Sequence, residues 1–248
     1  MPSFEDLHAR LLAAAGTMRG TLAIAGTFED HPVLRLRAGA PAGRPLLVIA
    51  GIHGEEPASP LGFVEWLETD APTFLDRIDL TAFPCLNPVG FVRGTRGSRD
   101  VPDLNRRFDD PGFPLTRILA AALGPARFDL LADLHEDSDF KGAYCYELGD
   151  GPPWLAERIL AAAATRVPVS DGEVVGDYTT RGGIIRPDPA ARRERIRAAG
   201  GGMPVALWLH ERTASRVVTF ESPGARPLTE RIAATRAALN AIATFLIQ

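Results

Sequence analysis

Two stretches of the chain are apolar at nearly every position, and each leads directly to a histidine. Residues 44–52, RPLLVIAGI, are followed by His53, and residues 128–135, FDLLADLH, end in His135. Continuous apolar runs of this length are typical of strands that are buried on both faces of a sheet. The pattern therefore predicts two central strands, each with an imidazole at its carboxyl end.

Elsewhere, short apolar runs alternate with segments that are apolar at every third or fourth position, which indicates strands alternating with helices. The further predicted strands are residues 21–28, 32–39, 78–85, 143–148, 205–210 and 216–222, and the predicted helices are residues 4–16, 58–67, 115–124, 153–165, 191–199 and 227–248. The side chains expected on the buried face of the first helix are Phe4, Leu7, Leu11 and Leu12. This alternation predicts an α/β fold: a single domain over residues 1–248, with a mixed, mostly parallel twisted sheet covered by helices on both faces.

Composition and charge exclude several classes of partner. The chain has 248 residues, of which 46% are hydrophobic and 23% are charged, so it can bury a large core. Its formal net charge of −4 provides no electrostatic reason to expect nucleic acid or an anionic membrane as a partner. No apolar stretch of about 20 residues and no signal-peptide pattern is present, so the cytoplasm is the expected location. Cys85 and Cys145 have apolar neighbours and are predicted to be buried free thiols.

The segment HGEE places an imidazole and two carboxylates at the end of a predicted strand. Glu56 is three positions after His53, a spacing at which both side chains can face one metal ion where the chain turns, and Glu55 is the alternative ligand. A catalytic zinc usually takes three protein ligands, and His135 is the best placed third ligand because its strand resembles the one before His53. The remaining histidines are predicted on a surface helix, in a turn and at a strand end: His8, His31 and His210.

Two further polar features have a chemical use. Glu221 lies in a strand that is otherwise largely apolar, and burial there would raise its pKa toward the range useful for proton transfer. The segment 93–108, RGTRGSRDVPDLNRRF, holds five arginines within a long polar loop, residues 87–112, that is predicted to be functional. Asn105 and Arg106 in this loop combine an amide donor with a planar guanidinium, a suitable pair for binding a carboxylate.

Together, these motifs resemble the zinc carboxypeptidase family, which is built around carboxypeptidase A and includes the succinylglutamate desuccinylase/aspartoacylase branch. The family order is His-x-x-Glu, an arginine, Asn-Arg, a lone histidine and a glutamate within a strand. The matching residues of this chain are His53, Glu56, Arg99, Asn105, Arg106, His135 and Glu221. Five elements in the family's order are far more specific than any one of them.

The resemblance implies the chemistry of the site. One zinc ion would be bound by His53, Glu56 and His135, so the family spacing assigns the metal to the second glutamate of HGEE. Glu221 would be the general base that activates water and later protonates the leaving nitrogen. The fold implied is the α/β fold of the zinc carboxypeptidases.

The resemblance also implies roles for the polar loop. Arg99 would polarise the scissile carbonyl, with Arg96 as the alternative because this loop varies in length within the family. Asn105 and Arg106 would hold the free carboxylate of the substrate. The family peptidases usually carry a tyrosine on a mobile loop before the catalytic glutamate, and Tyr178 is the nearest substitute in this sequence.

The leading hypothesis is a zinc-dependent metallocarboxypeptidase or amidohydrolase that cleaves an amide bond beside a free carboxylate, on a small peptide or murein peptide. The alternative is an N-acyl amino acid deacylase of the succinylglutamate desuccinylase/aspartoacylase type, since HGEE and DLNR also suit that branch. Those enzymes usually add a β-rich domain after the catalytic glutamate. Because this chain ends soon after Glu221, the compact hydrolases, such as the murein tripeptide amidases, are favoured. A non-catalytic carboxylate-binding protein is a third hypothesis, and it would require an incomplete catalytic set.

Overall fold

A computed structural model describes residues 3–248, except for the side chain of Glu211. The strands are β1 (Thr21–Phe28), β2 (His31–Gly39), β3 (Arg44–Ala50), β4 (Ile78–Phe83), β5 (Leu130–Asp137), β6 (Tyr144–Leu148), β7 (Val174–Val175), β8 (Tyr178–Thr179), β9 (Ile184–Ile185) and β10 (Val217–Pro223). Eight of them form one sheet in the order β1-β2-β4-β3-β5-β10-β6-β9, and β7 pairs with β8. The central strands β4, β3, β5 and β10 are parallel, and antiparallel pairs flank them on both sides.

Helices cover both faces of the sheet. They are α1 (Phe4–Thr17), α2 (Ala58–Thr69), α3 (Pro88–Arg93), α4 (Pro114–Leu123), α5 (Ala156–Ala163), α6 (Pro189–Ala198), α7 (Val205–Arg212) and α8 (Leu228–Leu246). One hydrophobic core lies between the sheet and α1, α2, α5 and α8, and a second lies between the other face and α4 and α7. None of the helices within residues 3–248 has the length and apolar character of a membrane span. The predicted α/β fold with a mixed sheet is confirmed.

The two apolar runs form the central strands, as predicted. In β3, Leu46 and Val48 enter the first core, whereas Leu47 and Ile49 enter the second. Because successive side chains of a strand point to opposite faces, a strand with a core on each side must be apolar at both alternating sets of positions. Strand β5 is also buried on both faces, from Leu130 to Glu136.

The segment 205–210 is helical, and its prediction as a strand is wrong. Every residue from Val205 to Leu209 is buried in α7, so no polar side reveals the helical period in the sequence. A short run of this kind does not distinguish a buried helix from a buried strand by pattern alone. His210 therefore lies in the last turn of a helix rather than at a strand end.

Two smaller predictions also need correction. Leu12 was expected on the buried face of α1, but its side chain is 58% exposed, and Ala14 and Ala15 continue the buried face instead. The polar passage 87–112 is not one continuous loop. It contains α3 and a short 3-10 helix, Leu104–Arg106, which fixes the backbone of the Asn-Arg pair.

The parallel strands bring the predicted chemical groups to one edge of the sheet. His53 follows β3, while His135 and Glu221 lie near the carboxyl ends of β5 and β10. In the register of the sheet, His135 is directly beside Glu221. Since β3 and β10 are the two neighbours of β5, all three side chains come from adjacent strands. Open α/β sheets place their ligands at this edge.

Candidate metal centre

The HGEE turn depends on two glycines that precede its carboxylates. Gly51 has φ of +64°, a left-handed conformation that ends β3 and turns the chain across the sheet edge. A Cβ on Gly54 would lie 1.8 Å from the carbonyl carbon of Gly90, so the turn packs directly against the backbone of α3. These contacts hold His53 and Glu56 in the interior, where both side chains are buried.

His53, Glu56 and His135 form the only group within the described residues whose nitrogen and oxygen atoms could hold a metal ion. One donor atom from each lies within 4.8 Å of the other two. The carboxylate of Glu56 contacts both imidazoles, at 2.6 Å from Nδ1 of His53 and 3.0 Å from Nδ1 of His135. The two Nδ1 atoms and one carboxylate therefore converge on a single point, as a zinc ion would require.

The other nitrogen of each imidazole is held by an aspartate. Nε2 of His53 is 3.1 Å from Oδ1 of Asp103, and Nε2 of His135 is 3.2 Å from Oδ2 of Asp133. Metal-binding histidines usually have such a partner, because it fixes the ring and the tautomer that leaves the other nitrogen free for the metal. Oδ1 of Asp133 is buried and has no hydrogen-bond partner among residues 3–248. A buried acceptor without a partner lowers the free energy of unfolding, so this carboxylate destabilises the fold.

The electrostatics of this cluster favour positive charge. Burial opposes a charged carboxylate at Glu56, yet His135 and His53 lower its pKa to about 2. Burial also opposes protonation of His135, but the carboxylates of Asp133, Glu56 and Glu221 raise its pKa well above the usual value. A site that draws protons onto its histidines in this way is also suited to a divalent cation, which would displace those protons. The donor set and its surroundings therefore fit a metal ion.

Glu221 faces the same cleft, which has a volume of about 670 Å³. Burial raises the pKa of this carboxylate to about 8: the charge of His135 opposes the shift, and that of Glu56 adds to it. On the other side of β10, Tyr144 lies directly beside Glu221 in the antiparallel register. The hydroxyl of Tyr144 donates a hydrogen bond of 2.6 Å to Asp137.

Of the two arginines that were open for the carbonyl role, the structure brings only Arg96 to the cleft. Nη2 of Arg96 is 3.0 Å from Asp103, and its Nη1 is 3.7 Å from Oε1 of Glu56. The guanidinium of Arg99 points elsewhere and donates to the backbone carbonyl of Glu29 at 2.9 Å and to Asp30 at 3.1 Å. The family spacing thus placed Arg99 in a role for which its side chain is not positioned.

A turn at residues 97–98 separates these two arginines. The side chain of Asn87 donates to the carbonyl oxygens of Arg96 and Gly97, and the amide of Ser98 donates to the carbonyl of Val101. This turn directs the residues before it toward the metal group and the residues after it toward the β1–β2 hairpin. The loop contacts, rather than the spacing along the chain, decide which arginine faces the cleft.

Asn105 and Arg106 both line the cleft, as expected for a carboxylate-binding pair. Oδ1 of Asn105 accepts a hydrogen bond of 2.8 Å from the amide of Val205, which leaves its Nδ2 group available to a ligand. Arg106 is exposed and makes no ion pair with the described residues; one of its nitrogens donates to the carbonyl of Asn105. Gly202 packs against the backbone of Arg106, since a Cβ there would lie 1.6 Å from the Arg106 carbonyl oxygen.

Tyr178 is not among the residues that line the cleft. Its ring instead packs edge-on against the ring of Tyr146, with 6.1 Å between the centroids. The tyrosines that do line the cleft are Tyr144 and Tyr146, both on β6. Tyr178 therefore supports a wall of the cleft and does not reach into it.

The family model for the succinylglutamate desuccinylase/aspartoacylase catalytic domain matches residues 42–170, which include the HGEE turn, the Asn-Arg pair and His135. The chain belongs to this family. This is the branch that the sequence motifs offer as the alternative to the compact hydrolases. A comparison with curated protein sequences finds no match.

Solved structures share the fold of this family member. A candidate metallopeptidase from Shewanella amazonensis SB2B is 25% identical with a TM-score of 0.84, over 98% of this chain and 93% of that one. A metallo-carboxypeptidase from Burkholderia cenocepacia is 19% identical with a TM-score of 0.69, over 98% of this chain and 69% of that one. A metallo-carboxypeptidase from Pseudomonas aeruginosa, in complex with (2-guanidinoethylmercapto)succinic acid, is 19% identical with a TM-score of 0.67, over 100% of this chain and 70% of that one. The family match and the candidate metallopeptidase at 25% identity support a hydrolase, and the other two structures show the shared fold.

The two aspartates that contact the imidazoles are not among the site residues predicted from the sequence. Asp133 is two residues before His135 on the same strand, so the alternation of side chains puts both on one face. That signal was available in the sequence. Asp103 belongs to the DLNR segment, but only the folded loop shows that it meets His53, which is 50 residues away along the chain.

We expect Asp133→Asn to weaken metal binding by about 10- to 100-fold, because the amide no longer provides the charge that orients His135. Asp103→Asn should have a similar effect through His53. Zinc affinity would be measured by competition with a chromophoric chelator. The control is Asp76→Asn, which changes an exposed aspartate outside the cleft. An unchanged zinc affinity in both cleft variants would contradict the orienting role.

Proposed function

We propose that this hydrolase is zinc-dependent and cleaves an amide bond beside a free carboxylate. The observation that carries the proposal is the convergence, in one cleft, of the His53, Glu56 and His135 donors with Glu221 and Arg106. A metal-binding group, an adjacent carboxylate with a raised pKa and an unpaired guanidinium are the parts that hydrolysis of a carboxylate-bearing amide requires.

The two histidines and Glu56 would hold the zinc ion, which supplies Lewis-acid polarisation of the carbonyl and acidifies a water molecule. Glu221 would accept the proton of the attacking water and return it to the leaving nitrogen. Burial makes this carboxylate basic enough for the first step, and its raised pKa makes its protonated form available for the second. A nearby cation would lower that pKa toward neutrality.

Arg96 and the Asn-Arg pair would position the substrate. The guanidinium of Arg96 lies beside Glu56, within reach of negative charge that develops on the carbonyl oxygen. Asn105 and Arg106 would bind the carboxylate of the substrate and so hold the scissile amide next to the metal group. This assignment is supported by Nδ2 of Asn105 and the guanidinium of Arg106, neither of which contacts a carboxylate of the residues that the structure describes.

We propose an N-acyl amino acid as the first substrate class to test, because the family is named for enzymes that act on succinylglutamate and acyl-aspartate. A peptide with a free C-terminus is the second candidate. It is favoured by the metallopeptidase designation of the Shewanella amazonensis protein, whose fold matches nearly the whole chain. Both classes present a carboxylate beside an amide, and the succinic acid derivative bound to the Pseudomonas protein is a carboxylate as well.

The test is a substrate panel assayed with the zinc-loaded and the chelator-treated protein. We expect about one zinc per chain, release of the free amino acid from at least one N-acyl amino acid or peptide, and loss of release after zinc removal. Protein that binds carboxylates but cleaves no amide would instead support the non-catalytic hypothesis. Turnover that is unaffected by zinc removal would refute the zinc dependence.

We expect Arg96→Ala to lower kcat by about 100-fold or more, since one electrostatic donor at a developing oxyanion has an effect of this size. Arg99→Ala should change kcat by less than about threefold, because its surface ion pairs contribute little. The two variants remove the same charge three residues apart, so each is the control for the other. A larger loss with Arg99→Ala would return the role to the residue that the family spacing indicates.

A further inference from the structure

Four arginines line the cleft. They fall into two groups, according to whether their guanidinium forms an ion pair with a carboxylate. Arg96 is paired with Asp103, and Arg231 is paired with the buried Glu136. The other two, Arg106 and Arg192, make no ion pair with the described residues. The proposed function uses Arg106, whereas Arg192 remains without a role. An arginine that is free of carboxylates, in a cleft that holds many of them, is available to an anionic ligand.

Stacking on aromatic rings holds Arg192 in place. Its guanidinium carbon is 4.4 Å from the centroid of the Tyr146 ring. The ring of Tyr178 packs edge-on against Tyr146, and Arg195, one turn further along α6, lies 5.5 Å from the centroid of Tyr178. Cation–π contact fixes the plane and position of a guanidinium but neutralises none of its charge. Arg192 is therefore oriented and still fully able to bind an anion.

The register of the sheet locates this group relative to the catalytic groups. Tyr146 lies directly beside Thr219 of β10, which lies beside Asp133 of β5, two residues before His135. Neighbouring strands are about 4.8 Å apart, so Tyr146 and the guanidinium above it are displaced by about 10 Å from β5, the strand that carries His135. Thr219 lines the cleft between them. A substrate at the metal group would need a side arm of several bonds to reach Arg192.

Helix α6 has little structural reason to place an arginine there. None of its residues is buried, although Ile196 packs at the edge of the second core. The segment after α6 contacts the carboxylate-binding turn, because Gly202 touches the backbone of Arg106. Helix α6 thus lies along one wall of the cleft and is attached to the turn that carries the other unpaired arginine.

We propose that Arg192, stacked on Tyr146, is a specificity-determining residue that binds a second carboxylate of the substrate, at a site separate from the one formed by Asn105 and Arg106. The preferred ligand would therefore be a dicarboxylate with its two charges separated by a flexible chain. This inference rests on the proposed function for the identity of the reaction. The binding of the second carboxylate does not depend on the proposed function, because it is a property of the cleft alone.

The test compares two ligands of equal chain length, glutarate and valerate, bound to the zinc-loaded protein and measured by isothermal titration calorimetry. We expect the wild-type protein to bind glutarate about 10- to 100-fold more tightly than valerate, as for one hydrogen-bonded charged pair. Arg192→Ala should bring the ratio of the two affinities close to one. Arg192→Lys should retain part of it, since the charge remains but the forked geometry does not.

Arg195→Ala is the matched control, because it removes the same charge from the same helix at a position outside the cleft. It should leave the preference for glutarate intact. The proposal is overturned if the wild-type protein shows no preference, if Arg192→Ala retains it, or if the Arg192 and Arg195 variants reduce it equally. Melting temperatures of the variants would exclude a folding defect as the cause.

A kinetic comparison identifies the part of the substrate that Arg192 contacts. N-succinyl-alanine is compared with N-butyryl-alanine, and N-acetyl-glutamate with N-acetyl-norvaline. We expect Arg192→Ala to raise KM for the more charged member of one pair and to leave kcat nearly unchanged. If the wild-type protein cleaves none of these amides but binds glutarate through Arg192, the proposed function fails and the second carboxylate site stands.

Discussion

Replacing His135 by alanine is expected to reduce the zinc content from about one ion per chain to a small fraction of that, and to abolish turnover. A catalytic zinc site with three protein ligands cannot lose one without losing most of its affinity. The loss should be larger than for either aspartate variant, because the aspartates act only through the imidazoles. The zinc content of purified, dialysed protein, measured by atomic absorption, checks this expectation.

The control for this variant is His8→Ala, which changes a histidine of α1 outside the cleft. It should keep its zinc and its activity. A second readout is the thermal stability with and without added zinc. The wild-type protein should be stabilised by zinc because a ligand that binds only the folded state raises its stability, and His135→Ala should show no such shift. Full zinc occupancy in a variant that lacks both His53 and His135 would refute the site.

Glu221→Gln is expected to lower kcat by about 100- to 10,000-fold while zinc remains bound, since positioned proton transfer contributes an effect of this size. Glutamine has nearly the same shape but cannot accept the proton. The measurements are kcat and zinc content on the same preparation. The control is Glu230→Gln, which alters a carboxylate paired with Arg226 on the outside of α8. Turnover near the wild-type level in Glu221→Gln would show that another group moves the proton.

The metal-free protein allows an independent test of the environment of Glu221. Burial raises the pKa of this carboxylate to about 8, so the folded state keeps a proton that the unfolded state releases at lower pH. The contribution of Glu221 to stability is therefore present below its unfolded pKa and is lost as the pH rises toward 8. We expect metal-free Glu221→Gln to be more stable than the metal-free wild type at pH 8, by urea denaturation. The difference should disappear at pH 4.

Much of the candidate site could be predicted because its residues are marked by local sequence. His53 and His135 follow apolar runs that are long enough to indicate buried strands, and the carboxyl ends of parallel strands meet at one edge. Glu221 was identified in the same way, as a carboxylate in an otherwise largely apolar strand. The structure places all three at the carboxyl ends of adjacent strands of the sheet.

The sequence did not determine which arginine of the polar loop faces the cleft. Arg96 and Arg99 are three residues apart in a segment without periodicity, and both are compatible with the family order. Their directions depend on partners that are distant along the chain: Asn87 holds the backbone beside Arg96, and Arg99 meets a hairpin 70 residues earlier. The direction of a loop side chain is set by such contacts, which no local pattern records.

The sequence by itself determined the α/β fold, the two central strands and the order of the candidate catalytic motifs. Each of these depends on the spacing of apolar and polar residues within a short window, and that spacing is visible along the chain. Only the tertiary structure decided that residues 205–210 form a helix, that Arg96 faces the cleft, and that Arg192 stacks on Tyr146 without an ion pair to the described residues. These outcomes depend on packing between segments that are distant along the chain. Such packing decides which residues are buried and which charged side chains meet, and no short window of sequence records it.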